Sequence, residues 1–256
     1  CCVVPMRERV IGATVVAVLL TALEIAVRGG AVNGVLVPPP SVIAQRTYAL
    51  IANGTVLQPL MQTLYLLFFA YFIACAIAVA LGLLMGRFQA IHNLFEPVVE
   101  SLRPLPKAAL LPPLMMLLGL GDAMKLAVVG LAVFFPVLIN TVQGVRGVDP
   151  VLINTARTFG HARGRILRKV VLPASLPLIL AGMRVGLGLG LILVTTAEMM
   201  AGTGGVGYLI IDMQRSFRVQ NMYAWIVILA LLGYALNVVF LKLEHRATHW
   251  ASAKSS

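Results

Sequence analysis

Few residues in this chain have the type and spacing that bond-making chemistry needs. The histidines are His92, His161, His245 and His249. The last two stand four apart in H-R-A-T-H. No Glu follows the first of them, as a zinc-protease helix requires, so they read as a solvated tail. No nucleophile elbow, carboxylate pair or metal-ligand cluster accompanies them, so the sequence predicts no catalytic residue, no metal site and no enzyme. The "GTGGVG" of residues 202–207 has the glycines of a phosphate loop without the preceding strand or the basic partner. It reads as a flexible loop before Tyr208. The pattern G-x-x-x-x-G-K-[ST] does not occur, which excludes that nucleotide-hydrolysing motif from this chain.

What remains is polar chemistry set in oil. Thr195, Thr196 and Glu198 cluster at the end of an apolar run. An ionisable group there either lines a solute pathway or partners nearby backbone and basic groups. Arg184, in the same run, either snorkels to a membrane face or lines a vestibule where it would attract an anion. Asp122 and Lys125, three apart, can form a local pair at a helix start. Gly182, Gly186 and Gly190 make two overlapping G-x-x-x-G units, the spacing of close helix approach. The largest polar feature is "NTARTFGHARGRILRKVVLP", residues 154–173, with five Arg and Lys, one His and no acid. Docking of another subunit, contact with anionic lipid and nucleic-acid binding all use such charge. No aromatic stacking platform or reading motif accompanies it, which disfavours nucleic acid.

The elements that position these residues are membrane helices. The 256 residues are 60% hydrophobic and only 11% charged, mean hydropathy is +0.95, and the oil comes in blocks. Apolar runs cover residues 10–27, 60–86, 106–120, 123–143, 176–199 and 223–243. A bilayer core of ~30 Å needs about 20 helical residues. The runs therefore predict an all-α membrane protein, a single domain over 1–256 with about six transmembrane helices. The third run is short, and Pro112 and Pro113 predict that it bends or crosses at a tilt. With the N-terminus inside, only Arg28, Arg46, Lys125, Arg215 and Arg218 of the 20 basic residues fall outside. That sorting follows the positive-inside rule, accounts for most of the net charge of +11, and puts both termini in the cytoplasm. The first run is longer than a usual signal-peptide core and no clean A-x-A site follows it, so it reads as a retained helix. Met6 reads as the start after Cys1 and Cys2, and with Cys75 inside a run no disulfide or zinc spacing arises.

The basic stretch then lies in the largest cytoplasmic loop, about residues 146–175, between the fourth and fifth helices. Asp149-Pro150 is a helix start, a capping carboxylate followed by Pro at the first helical position. The helix should run to Phe159 and stop at a left-handed Gly160. A second helix from about Ala162 should end before Pro173, because the residue preceding Pro disfavours the helical region. Val151, Ile153, Ala156 and Phe159 give the first helix apolar surface, though not one clean stripe. A capped helix–Gly–helix elbow is more architecture than lipid contact requires, so docking leads the three readings.

Asn154-Thr155-Ala156, three residues, Gly160, nine residues, Val170, one residue, then Leu172-Pro173 resembles the EAA loop of binding-protein-dependent ABC importer permeases. That pattern is E-A-A, three residues, G, nine residues, I, one residue, L-P. The spacing matches throughout, with Asn154 for Glu, Thr155 for Ala and Val170 for Ile. "LVPPPSVI" (36–43), "ESLRPLPKAALLPPLMMLLGLGDAMK" (100–125), "FFPVLINTVQGVRGVDP" (134–150) and "AEMMAGTGGVGYLI" (197–210) are similar to the nitrate, sulfonate, taurine and bicarbonate branch. Roughly residues 36–245 are covered.

The resemblance implies a multi-pass permease of a bacterial inner membrane, surrounded by lipid and paired with a second permease subunit as a homodimer. Two ABC ATPase subunits would bind ATP and Mg, this chain would bind no cofactor, and an external binding protein would deliver the solute. Asn154, Thr155, Ala156, Arg157, Phe159, Gly160, Val170, Leu172 and Pro173 would couple to the ATPase. Thr195, Thr196, Glu198 and Arg184 are the pathway candidates. The implied solute is a small oxyanion such as nitrate, taurine or another sulfonate, or bicarbonate, with a heterocyclic vitamin precursor as the alternative. A secondary transporter driven by an ion gradient is the rival class, but the inverted repeats it would be expected to show are not visible.

Overall fold

The computed structural model describes residues 6–31 and 33–248. Cys1, Cys2, His249 and Lys254 lie outside the described residues. Every regular element among the described residues is a helix. The described chain begins with α1 (Met6–Arg28), α2 (Pro40–Ala52), α3 (Leu57–Arg87) and α4 (Gln89–Leu102). A 3-10 turn (Lys107–Leu110) leads into α5 (Leu111–Leu118) and then α6 (Asp122–Arg146). After α7 (Pro150–Thr158) and the single turn α8 (Arg163–Ile166), a π turn (Leu167–Val171) runs into α9 (Leu172–Ala201), followed by α10 (Val206–Arg215) and α11 (Val219–Ala247).

Four described helices are long and apolar enough to cross a membrane: Leu57–Arg87, Asp122–Arg146, Gly164–Ala201 and Val219–Ala247. They match the second, fourth, fifth and sixth expected runs. The shortest, at 25 residues, is about 37 Å long at 1.5 Å per residue, enough for a ~30 Å core. α1 covers the first run, but its apolar side chains, Val15, Val16, Leu19 and Leu20 among them, stand exposed. Glu24 ties it to the start of α2, accepting from the Ser41 N–H at 3.0 Å and the Ser41 hydroxyl at 2.7 Å.

The third run is not one crossing helix. α3 and α6 run parallel: the Arg146 guanidinium donates to Gln89 Oε1 at 2.8 Å at one end, and Gln62, Asp122 and Lys125 line one small cavity at the other. The chain must therefore climb back between them, and it does so in pieces. His92, Val99 and Arg103 of the α4 segment share a cavity with Leu138, Val142 and Arg146 at the lower half of α6. Halfway up, the Lys107 amine sits 4.9 Å from the Phe135 ring centroid. α5, only eight residues, completes the climb to Gly119, whose φ of +76° turns the chain into α6. Pro104, Pro106, Pro112 and Pro113 explain the breaks, since each removes a backbone donor and crowds the preceding turn.

The core lies where α3, α6 and α9 meet, with Leu67, Val128, Val133, Leu138 and Val194 fully buried. Close approach depends on the expected glycines. A Cβ at Gly182 would stand 2.6 Å from Asn140 Cβ and 2.9 Å from the Pro136 carbonyl. At Gly186 it would meet Val133 at 3.2 Å, and at Gly190 Leu67 at 3.0 Å. Contact this tight lets dispersion hold helices together where lipid leaves no hydrophobic drive between them. The Tyr71 hydroxyl adds a bond to the Met183 carbonyl at 3.1 Å, joining α3 to α9.

Candidate functional site

The elbow after α6 is built largely as its residues dictate. Asp149 caps α7 by accepting from the Val151 N–H at 2.8 Å, with Pro150 at the first helical position. At the other end Gly160 has φ +71°. Its N–H donates to the Arg157 carbonyl at 2.9 Å, and the His161 N–H donates back to the Ala156 carbonyl at 3.2 Å. This double return is a Schellman motif, which needs a residue at ease in the left-handed region.

The second half of the elbow departs from expectation. It does not end before Pro173. The helix continues from Arg163 through the π turn into α9, and Pro173 lies in the first turn after it. A wider i→i+5 turn makes room for a proline ring that an α-turn would press against the carbonyl four residues back. The second half of the elbow and the fifth crossing are thus one continuous rod.

The named loop residues fall into two sets. Ala156 is buried with Val145, Val148, Ile166 and Val171, and Ile153 and Val170 pack on the same cluster. Leu172 and Pro173 are half-buried. These seat α7 against the end of the bundle where α6 stops and α9 begins. Val151, Leu152, Asn154, Thr155, Arg157, Thr158 and Phe159 face outward, with Phe159 77% exposed. Arg157, Arg165, Arg168 and Lys169 are exposed too and take part in no ion pair with a described residue. The outcome is a stiff helix, fixed on one side and offering apolar and cationic groups on the other.

At the opposite end of α9, Glu198 is fully buried. Thr63 of α3 donates its hydroxyl to Glu198 Oε1 at 2.8 Å and Oε2 at 3.0 Å, and the Gly207 N–H donates to Oε2 at 2.9 Å. Thr63 in turn accepts from the Val206 N–H at 3.0 Å, and Gln62 accepts from the Gly205 N–H at 2.9 Å. The glycine-rich segment is therefore not a flexible loop but a clamped turn. A Cβ on Gly205 would strike the Glu198 carboxylate, and one on Gly207 the Thr195 carbonyl. Burying a carboxylate requires such donors, and here they come from α3 and from the first turn of α10. Thr63 and Gln62 had no signal in the sequence beyond being polar at the start of an apolar run.

The other pathway candidates are separated. Thr195 is buried and Thr196 half-buried, each bonded to the Ile192 carbonyl of its own helix, at 2.9 and 2.7 Å. Arg184, four turns down α9, has Nη1 at 3.4 Å from Glu244 of α11, close enough for an ion pair but not aligned as a hydrogen bond. Lys125 is buried and paired with Asp122 at 3.0 Å.

Comparison with known proteins places this geometry among transport components. Residues 78–248 match the family described as binding-protein-dependent transport system inner membrane component. The taurine transport system permease protein TauC of Escherichia coli is 28% identical, covering 95% of this chain and 90% of its own. The nitrate import permease protein NrtB of Synechocystis is 26% identical, over 88% of this chain and 84% of its own. Among solved structures, an inward-facing form of the MetNI methionine ABC transporter aligns with a TM-score of 0.63 at 20% identity, over 73% of this chain and 94% of that one.

Proposed function

Because the chain belongs to the family of binding-protein-dependent transport system inner membrane components, we propose that it forms the path of an ATP-driven importer for a small oxyanion, the sulfonate taurine or nitrate being the models. Family membership sets aside the secondary transporter driven by an ion gradient. The relatives named for taurine and nitrate support the solute class, since both carry a negative charge spread over oxygens. Two copies of the chain pair in the inner membrane, two ATPase subunits bind below, and a binding protein delivers the solute from outside. Both termini face the cytoplasm, the side on which the exposed cations of the elbow gather.

The observation that carries the mechanism is the elbow itself. α7 is capped at both ends, seated through Ala156 and Ile153, and continuous in function with a 38-residue rod, Gly164–Ala201. A push on Val151, Leu152 and Phe159 from an ATPase pair closing on ATP is carried into α9 with little loss, because a capped helix does not absorb displacement as a loop would. At the far end of that rod, Glu198 grips α3 and the turn into α10, so motion of α9 is passed to the outer face. ATP and Mg act on the ATPase, and this chain supplies the linkage and the path.

The test is uptake by cells carrying the complete importer with its own binding protein. ATP-dependent accumulation of taurine or nitrate that disappears when this chain is deleted is the expected result. Uptake that persists in the deletion, or that follows an ion gradient and ignores ATP, would overturn the proposal.

A further inference from the structure

Lys107 occupies an unusual place for an ammonium group. It stands at the break between α4 and α5, against Phe135, which lies midway along the crossing helix Asp122–Arg146. Its Nζ donates to the Arg103 carbonyl at 2.5 Å and lies 3.5 Å from the Leu102 carbonyl. Among the described residues no carboxylate lies within ion-pair distance of it. The amine is thus anchored but not neutralised. It borders a cavity of about 530 Å³ together with Arg103, Asn140 of α6, and Leu189 and Leu193 of α9. Among the described residues no acidic one lines that space. Arg103 has one partner, Glu100 at 3.6 Å, and both side chains are more than half exposed, so solvent weakens that pair.

A cation at mid-membrane faces the bundle interior or a cavity, pairs with opposite charge or with backbone carbonyls, and by default marks a solute or ion pathway. Apolar walls such as Leu189, Leu193 and Phe135 concentrate its field on whatever enters, as cationic linings do in anion pores. We infer that Lys107, with Arg103 and the Asn140 amide, forms a transient binding site for the solute's negatively charged oxygens, sulfonate or nitrate, halfway along the path. The inference rests on the oxyanion reading above and gives it a location. The site is built by the broken third crossing, which explains why an unbroken helix is not used there: the break holds the half-buried amine at the edge of the cavity and provides the carbonyls that orient it.

The experiment compares taurine and nitrate uptake by cells carrying the full importer with Lys107→Gln, Lys107→Arg or Arg103→Gln. Lys107→Gln keeps a hydrogen-bond donor on a slightly shorter side chain and removes the charge. At equal amounts of complex in the membrane it should lower uptake about tenfold or more, whereas Lys107→Arg should stay within about threefold of the parent. Arg103→Gln, altering a side chain that is more than half exposed, should assemble, should lower uptake several-fold, and carries the test if Lys107→Gln does not assemble. Undiminished uptake in the assembled neutral variants overturns the site and leaves the proposed function standing. Equal loss in Lys107→Arg and Lys107→Gln shows that shape and not charge matters, and also overturns it. A parent importer that carries neither solute removes the oxyanion reading and the site with it.

Discussion

Gly160 offers a graded test of whether the elbow transmits force. Its φ of +71° lies in the left-handed region, where an L-residue is disfavoured by roughly 1–2 kcal/mol. Nothing lies within 4 Å of a Cβ added there, so the penalty is conformational alone and packing does not obscure it. Gly160→Ala should therefore weaken the Schellman end of α7 by about 1 kcal/mol, and Gly160→Val by about 2 kcal/mol with its stiff β-branched side chain. Gly160→Asn should lose least, because Asn tolerates this region. Since about 1.4 kcal/mol is tenfold in an equilibrium, Val raises the frayed population of the helix end by more than tenfold. The assay is solute transported per ATP hydrolysed by the complete importer in proteoliposomes, and the ratio should fall in the order Gly, Asn, Ala, Val. Membrane insertion should not change, because the residue touches no other part of the bundle. A Val variant with normal coupling, or an Asn variant as poor as Val, would refute the reasoning.

Two further outcomes probe the bundle and the clamp around Glu198. Thr63→Val keeps the side-chain shape but takes a donor from buried Glu198 and an acceptor from the Val206 N–H, so it should lower stability by about 2–4 kcal/mol. Thr63→Ser should retain most of that, and a thermal-unfolding comparison in detergent that finds Val and Ser alike would count against the clamp. Gly182→Ala forces a shift against Asn140 Cβ and the Pro136 carbonyl, so the mature complex should be depleted in membranes. Gly188→Ala, with open space at its Cβ, should accumulate normally; loss in both variants would mean that the α6–α9 contact is not what the glycines protect.

Hydropathy placed the four long crossings because an apolar run of sufficient length has few other uses. The α7 caps were equally legible, since Asp149-Pro150 and Gly160 encode their own hydrogen-bond geometry over a few residues. What stayed hidden depends on distance along the chain or on direction in space. Thr63 and Glu198 are 135 residues apart, so neither announces the other, and the turn they clamp looked flexible because its glycines also fit a loose segment. Pro173 was misleading for a different reason: proline does bar an ordinary α-turn, but a π turn before it lets the helix continue. The third crossing looked like a short span because composition counts residues and does not show that α4 and α5 divide the climb between them. The outward and inward sets on α7 were likewise mixed in sequence, with Val151 and Ile153 equally apolar but on opposite sides.

The central claim is that the outward face of α7 meets the ATPase and passes its motion to the path. Single cysteines at Val151, Ile153 and Phe159, tested for cross-linking to the ATPase subunits in the assembled importer, address it most directly. The account predicts adducts from Val151→Cys and Phe159→Cys that change in yield when ATP binds, and none from the seated Ile153→Cys. Adducts formed from α4 or the chain ends while α7 stays unlabelled, or yields at α7 indifferent to ATP, would contradict it.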